Sequence, residues 1–139
     1  MFEFDRGHAP RRKVLVIDDE ESIALLIRDV LRRCGCEVET HGGGESALDA
    51  AERPDVDLVL TDLSIPELNG LDFARRLLER RPEVPVVIVS ADLDEGTRER
   101  LALLPNVVGA VRKPFDLLEF RRTVGEALGG GGEFGAEIG

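Results

Sequence analysis

The sequence predicts an α/β fold, a parallel sheet covered by helices on both faces. Three observations carry this reading. Short aliphatic runs recur along the chain, each followed by a stretch with helical spacing. The runs at 14–17 and 86–89 are continuous rather than alternating, as strands buried on both faces require. Several runs stop abruptly on a polar group, the pattern of strands whose carboxyl ends deliver functional side chains. A length of 139 residues with 42% hydrophobic content suits one domain with a real core.

The elements follow in order. Residues 1–12 contain Gly7, Pro10, Arg11 and Arg12 and read as an N-terminal arm, with the domain proper expected over 13–128. The first strand, 14–17, ends in Asp18-Asp19-Glu20. Ile23, Leu26, Ile27 and Val30 then fall at i, i+3, i+4 and i+7, predicting a helix that stops near Cys34-Gly35. A short second strand is expected at 37–40. Gly42-Gly43-Gly44 reads as a turn, because no Gly-Lys-Ser/Thr follows to make a phosphate loop. Ala47, Leu48 and Ala51 stripe a helix over 45–52. The third strand, 57–61, ends on Asp62. A loop with Pro66 and Gly70 leads to a helix with Leu71, Ala74, Leu77 and Leu78 on one side. Pro85 opens a fourth strand, where a missing N–H is tolerated, and this strand ends at Ser90. A polar helix over 94–104 has only Leu101 and Leu104 as an apolar edge. The fifth strand, 107–111, is followed by Lys113-Pro114, and Leu117, Phe120, Val124 and Leu128 stripe the last helix. Residues 129–139 are Gly-rich and read as a tail or the start of a linker. Right-handed crossovers leave few arrangements for five strands and five helices, and the flavodoxin-like order 2-1-3-4-5 suits them.

That order makes strands 1 and 3 neighbours, so Asp18, Asp19 and Asp62 are expected in one cleft with Ser90 and Lys113 beside them. Three carboxylates repel one another and need counter-charge. Lys113 supplies one positive charge, and an oxygen-only donor set without His or Cys favours Mg²⁺, with Mn²⁺ as the alternative, over Zn²⁺. A carboxylate can itself act as the nucleophile that accepts a phosphoryl group. Cation and ammonium would then neutralise charge on the transferring oxygens.

These residues carry a resemblance. Val-Leu-Val-Ile-Asp-Asp-Glu at 14–20, Leu-Thr-Asp-Leu-Ser-Ile-Pro-Glu-Leu-Asn-Gly at 60–70, Val-Ile-Val-Ser-Ala at 87–91 and Arg-Lys-Pro-Phe at 112–115 stand in order at the strand ends. Together they resemble the receiver domain of bacterial two-component response regulators, over about residues 13–128. The resemblance implies Asp62 as phosphoacceptor and Asp18 and Asp19 as the acidic pair holding Mg²⁺. It implies further that Asp62 and the backbone carbonyl of Ser64 complete the metal set, Ser90 is the switch hydroxyl and Lys113 the phosphate contact. It also implies a cis Lys113-Pro114 bond and, at Ala91, a small residue that leaves phosphoryl access. The implied donor is a sensor histidine kinase or phosphotransfer protein. With no output domain expected in this chain after Leu128, output is expected through a downstream protein, a second copy of the chain or a domain outside this sequence. One position departs from the pattern. Ala110 stands where the family usually carries Tyr or Phe, and the stretch from Leu104 to Lys113 looks short, which removes the aromatic half of the usual switch.

Two other readings compete. A Mg²⁺-dependent phosphatase would use Asp18 as nucleophile and Glu20 as acid, but 139 residues leave no room for a substrate-capping insertion. A constitutive binding module that no longer cycles is favoured by Ala110 alone. The net charge of −10 disfavours nucleic acid as a direct partner. No apolar run reaches the roughly 20 residues of a membrane span, and the N-terminus lacks a signal design, so a cytoplasmic location is expected. Cys34 and Cys36, spaced by one residue, do not match a zinc or redox motif. His8 and His41 read as inert, and the Arg pairs at 32–33, 75–76, 80–81 and 121–122 as solvated helix faces.

Overall fold

The computed structural model of the protein describes residues 11–129. The expected arm and tail therefore lie outside the described residues, except for Arg11, Arg12 and Gly129. The elements are β1 (Lys13–Ile17), α1 (Glu21–Arg33), β2 (Glu37–His41), α2 (Gly44–Ala51), β3 (Leu58–Thr61), α3 (Gly70–Arg80), β4 (Val86–Ser90), α4 (Glu95–Ala102), β5 (Val107–Arg112) and α5 (Leu117–Ala127). The five strands pair in the order β2-β1-β3-β4-β5, all parallel, as expected. None of the described helices is long and apolar enough to cross a membrane.

Alternate residues of each central strand feed two cores. Leu15, Ile17, Val59, Val86 and Ile88 point to the side of α2, α3 and α4, where they meet Ala47, Leu48, Phe73, Ala74, Leu77, Leu101 and Leu104. Val14, Val16, Leu58, Leu60, Val87 and Val89 point the other way, to Ala24, Ile27 and Leu31 of α1 and Phe120 and Val124 of α5. Burial on both faces is why these strands are apolar throughout. The edge strand β2, in contrast, is polar and only partly covered.

Two helix faces differ from the expected stripes. In α1 the buried positions are Ala24, Ile27 and Leu31, and Leu26 is 44% exposed. The run Ile-Ala-Leu-Leu-Ile offers two overlapping stripes, and the one containing the small Ala24 lets the helix lie closer to the sheet. In α3, Phe73 is fully buried beside Ala74 and Leu77, with Leu71 and Leu78 at the margins of the core.

The expected glycine turn ends earlier than Gly44. That residue is the first of α2, and a Cβ there would lie 2.6 Å from the Leu68 backbone oxygen. Its N–H donates to the Pro66 carbonyl at 3.1 Å, docking α2 on the loop after β3.

Between Leu104 and Lys113 the chain forms the whole of β5. β5 spans six residues and contains a bulge: Val86 pairs with Val107, but Val87 pairs with Gly109, leaving Val108 as the extra residue. Val108 is 53% exposed. The bulge places Ala110 against the α2–α4 core and turns Gly109 toward Thr123 of α5.

Candidate functional site

Each polar group expected at the site stands at the carboxyl end of a strand. Asp18 follows β1, Asp62 follows β3, Ser90 is the last residue of β4, and Lys113 follows β5. The register fixes them side by side, because the N–H of Asp62 donates to the Ile17 carbonyl and the N–H of Lys113 to the Ser90 carbonyl, both at 3.0 Å.

The Lys113 ammonium lies 2.8 Å from Asp18 Oδ2 and 2.7 Å from Asp62 Oδ2, with Glu20 Oε1 at 3.6 Å. The Asp18, Asp62 and Lys113 side chains are about nine-tenths buried or more, whereas Glu20 is mostly exposed. Asp18 Oδ1 accepts from the Glu20 N–H at 2.9 Å, which shapes the turn into α1. Asp62 Oδ1 accepts from the Ser64 N–H at 3.2 Å. The bond Lys113–Pro114 is cis, and Phe115 behind it stacks on Phe120 with ring centroids 4.9 Å apart.

Burial and hydrogen bonding act differently on the two carboxyls. Burial pushes the Asp18 carboxyl above the usual range, against weaker opposition from Lys113 and the Glu20 N–H. Burial acts on Asp62 in the same direction, but hydrogen bonds from Lys113, the Ser90 hydroxyl and the Ser64 N–H outweigh it and leave its carboxyl below the ordinary value. Burial would lower Lys113, yet its hydrogen bonds to both carboxylates push it up to about 12. The two carboxyls are thus shifted in opposite directions beside one charged ammonium.

The expected residues separate into two groups. Asp18, Asp62, Ser90 and Lys113 converge, with Ser90 fully buried. Asp19 and Ser64 are exposed next to them, and Ala91, also exposed, follows Ser90. Among the described residues there is no group of three or more acidic, His or Cys side chains poised around a metal position. The donor set nonetheless fits a hard cation: two buried carboxylates share one ammonium, so the cluster carries an excess negative charge, and every donor is oxygen. His41 belongs to a different network, with Nε2 2.7 Å from Glu39 Oε2 and Nδ1 3.2 Å from Ser46 Oγ.

Asp92, which the sequence places beside Ser64 at the flank of the site, and Arg112, which it did not place there, are both bonded to the site's surroundings. Asp92 Oδ2 accepts from Ser64 Oγ at 3.1 Å, and the Asp92 N–H donates to Ser90 Oγ at 3.1 Å. The Arg112 guanidinium donates to the Leu93 carbonyl. For Arg112 the only available signal was adjacency, one position before Lys113.

A doubly wound five-stranded sheet with paired acids and a lysine at its carboxyl edge defines a class of α/β signalling domain. The chain belongs to the response regulator receiver domain family, which matches residues 14–124, and such domains serve two-component phosphorelay signalling. It is 34% identical over 113 residues to the alkaline phosphatase synthesis transcriptional regulatory protein PhoP of Bacillus subtilis, covering 81% of this chain and 47% of that protein. It is 31% identical over 115 residues to the autoinducer 1 sensor kinase/phosphatase LuxN of Vibrio campbellii, covering 83% of this chain and 13% of that one. The crystallised receiver domain of a sensor histidine kinase of Pseudomonas aeruginosa PAO1, with a magnesium ion coordinated in its active site cleft, superposes with a TM-score of 0.77 at 25% identity. That alignment covers 86% of this chain and 99% of that domain. The chain spans about half or less of the length of the curated relatives it matches first.

Proposed function

We propose that this chain is a phosphorylation-controlled receiver in which Asp62 accepts a phosphoryl group from a phosphohistidine of a sensor histidine kinase or phosphotransfer protein. The observation that carries this is the Lys113 ammonium bonded at once to the two buried strand-end carboxylates, Asp18 and Asp62. An Asp62 carboxylate oxygen attacks phosphorus as the P–N bond of the donor breaks, and the departing imidazole takes the electron pair. The product is an acyl phosphate on Asp62, later hydrolysed by water.

Asp18, Asp19, Asp62 and the Ser64 backbone carbonyl would hold Mg²⁺. When bound, the cation neutralises charge on the transferring oxygens. Lys113 would do the same by exchanging its present carboxylate partners for phosphoryl oxygens. The Ser90 hydroxyl, which lies beside Asp62 and accepts from the Asp92 N–H, turns to hydrogen-bond the added oxygens. The new charge, about −1.5 to −2, then biases the face built by α4, β5 and α5. With Ala110 in place of an aromatic, that bias runs through Ser90 and the backbone. Asp62 is favoured over Asp18 as nucleophile because it receives the Lys113 ammonium and the Ser64 N–H and has the Ser90 hydroxyl beside it, the groups that would meet the added phosphoryl oxygens.

Intact mass after incubation with Mg²⁺ and acetyl phosphate tests the reading. A single phosphoryl adduct is expected for the wild type, lost with chelator and absent in Asp62→Ala. An adduct that survives Asp62→Ala assigns the chemistry to another carboxylate. No adduct in the wild type favours a constitutive module.

A further inference from the structure

The segment 91–94 joins β4 to α4, and α4 is weakly held by apolar contact. Within Glu95–Ala102 only Leu101 is buried, and Gly96 lowers the intrinsic stability of the helix. The position of α4 therefore depends on what grips its ends. At its start, Asp94 caps the Thr97 N–H at 2.8 Å and Leu93 is buried.

Three hydrogen bonds among the described residues grip the segment before that cap. The Asp92 N–H donates to Ser90 Oγ, the Ser64 hydroxyl donates to Asp92 Oδ2, and the Arg112 guanidinium donates to the Leu93 carbonyl. Two of the three use residues that also bond Asp62, namely Ser90 and Ser64. The third does not. Arg112 lies opposite Ser90 in the β4–β5 register, so both residues hold the same three-residue segment from neighbouring strand ends.

We propose that Arg112 is a positioning residue that ties the start of α4 to the end of β5, so that a displacement at Ser90 moves α4 instead of dissipating in the loop. This rests on Asp62 as phosphoacceptor and adds the route by which its modification is read. As the Ser90 hydroxyl turns to phosphoryl oxygens, its bond from Asp92 stretches. The Asp92 carboxylate, meanwhile, faces added negative charge across Ser64. Both grips nearest the site loosen together. The Arg112 bond touches neither and stays as the pivot about which the start of α4 shifts, a packed element with two arrangements.

Hydrogen exchange over 91–102, with intact mass on the same samples, tests this in the full chain for wild type, Arg112→Met and Arg112→Lys, each with and without acetyl phosphate and Mg²⁺. Arg112→Met without donor is expected to exchange about threefold or more faster over 91–102 than the wild type, with β1 and β3 unchanged. Phosphorylation is expected to speed exchange there in the wild type and to add little in Arg112→Met. Arg112→Lys, which keeps a charged donor, is expected to restore most of the difference. Equal resting exchange in wild type and Arg112→Met overturns the tether, and so does acceleration spread evenly over the domain. A wild type that forms no adduct overturns the phosphoacceptor reading instead, while the resting comparison still decides the tether.

Discussion

Replacing Lys113 with methionine would leave the Asp18 and Asp62 carboxylates facing each other in a site where both side chains are about nine-tenths buried or more. Removing one partner of a buried charge cluster costs about 3 kcal/mol or more at neutral pH. The sign of the pH dependence follows from the two carboxyls. Without the ammonium their folded-state pKa values rise above the unfolded value of 3.8, so the variant gains stability as pH falls. In the wild type the Lys113 contribution is complete below 10.5 and fades as pH rises through about 12. Urea unfolding of wild type and Lys113→Met is therefore expected to show a gap at pH 7 that narrows toward pH 4. A constant gap would contradict the assignment.

Glu39 carries the opposite sign. The bond from His41, against some opposition from burial, and the nearby Arg53 and Lys13 hold its carboxyl at about 2. Its contribution is present above 4.5 and lost as pH falls toward 2. The stability difference between wild type and Glu39→Gln should accordingly close over that interval, as acid titrations followed by circular dichroism would record.

Among the elements, α3 and α4 respond in opposite ways to the same substitution. A Cβ on Gly70, the first residue of α3, would lie 2.4 Å from the Asp62 backbone oxygen, while the Gly70 N–H donates to the Leu63 carbonyl at 2.9 Å. Backbone cannot move aside as a flexible side chain can. Gly70→Ala is expected to destabilise the domain by about 1–3 kcal/mol and to reduce phosphoryl uptake, because the shift falls on Asp62. A Cβ on Gly96 in α4 meets only Asp94 Oδ1 at 3.8 Å, an ordinary contact. Gly96→Ala should stabilise by about 0.5–1 kcal/mol through helix propensity. Chemical denaturation of the two variants checks both signs at once. The existence of both helices was legible in the sequence from residue spacing, and the structure adds the caps, Asn69 and Asp94. Their faces were legible only in part. Phe73 was missed because Leu71 and Leu78 offered an equally regular stripe, and periodicity does not say which side the sheet lies on.

Over the whole molecule, a cation drawn to the excess negative charge at one end of the sheet would couple its binding to stability. A cation that binds the folded cleft and not the unfolded chain stabilises by about 2.7 kcal/mol at a hundredfold excess over Kd. For a domain of this size that is a rise in Tm of roughly 8 °C. Calorimetry with and without Mg²⁺ should show the rise in the wild type and little in Asp18→Asn. An equal rise in both would place the cation elsewhere. The two edges of the sheet are protected differently: β2 is polar, with Glu37, Glu39 and His41, and β5 is broken by the Val108 bulge.

The sequence by itself determined the class of fold, the order of elements and the convergence of Asp18, Asp62, Ser90 and Lys113. Continuous aliphatic runs are demanded by burial on both faces, and a parallel sheet sends every carboxyl end to the same edge. Those are properties of chain order and residue type, so they can be read without coordinates. The tertiary structure alone decided which stripe of α1 is buried, that Gly44 and Gly70 begin helices against the loop after β3, and that β5 absorbs an extra residue at Val108. It alone separated the two carboxyls, raising one and lowering the other, and joined Arg112 to the segment before α4. Each of these depends on a distance between residues far apart in the chain. Such distances are set by how closely backbones approach and by how many donors reach one buried oxygen, and no local pattern of residues encodes either.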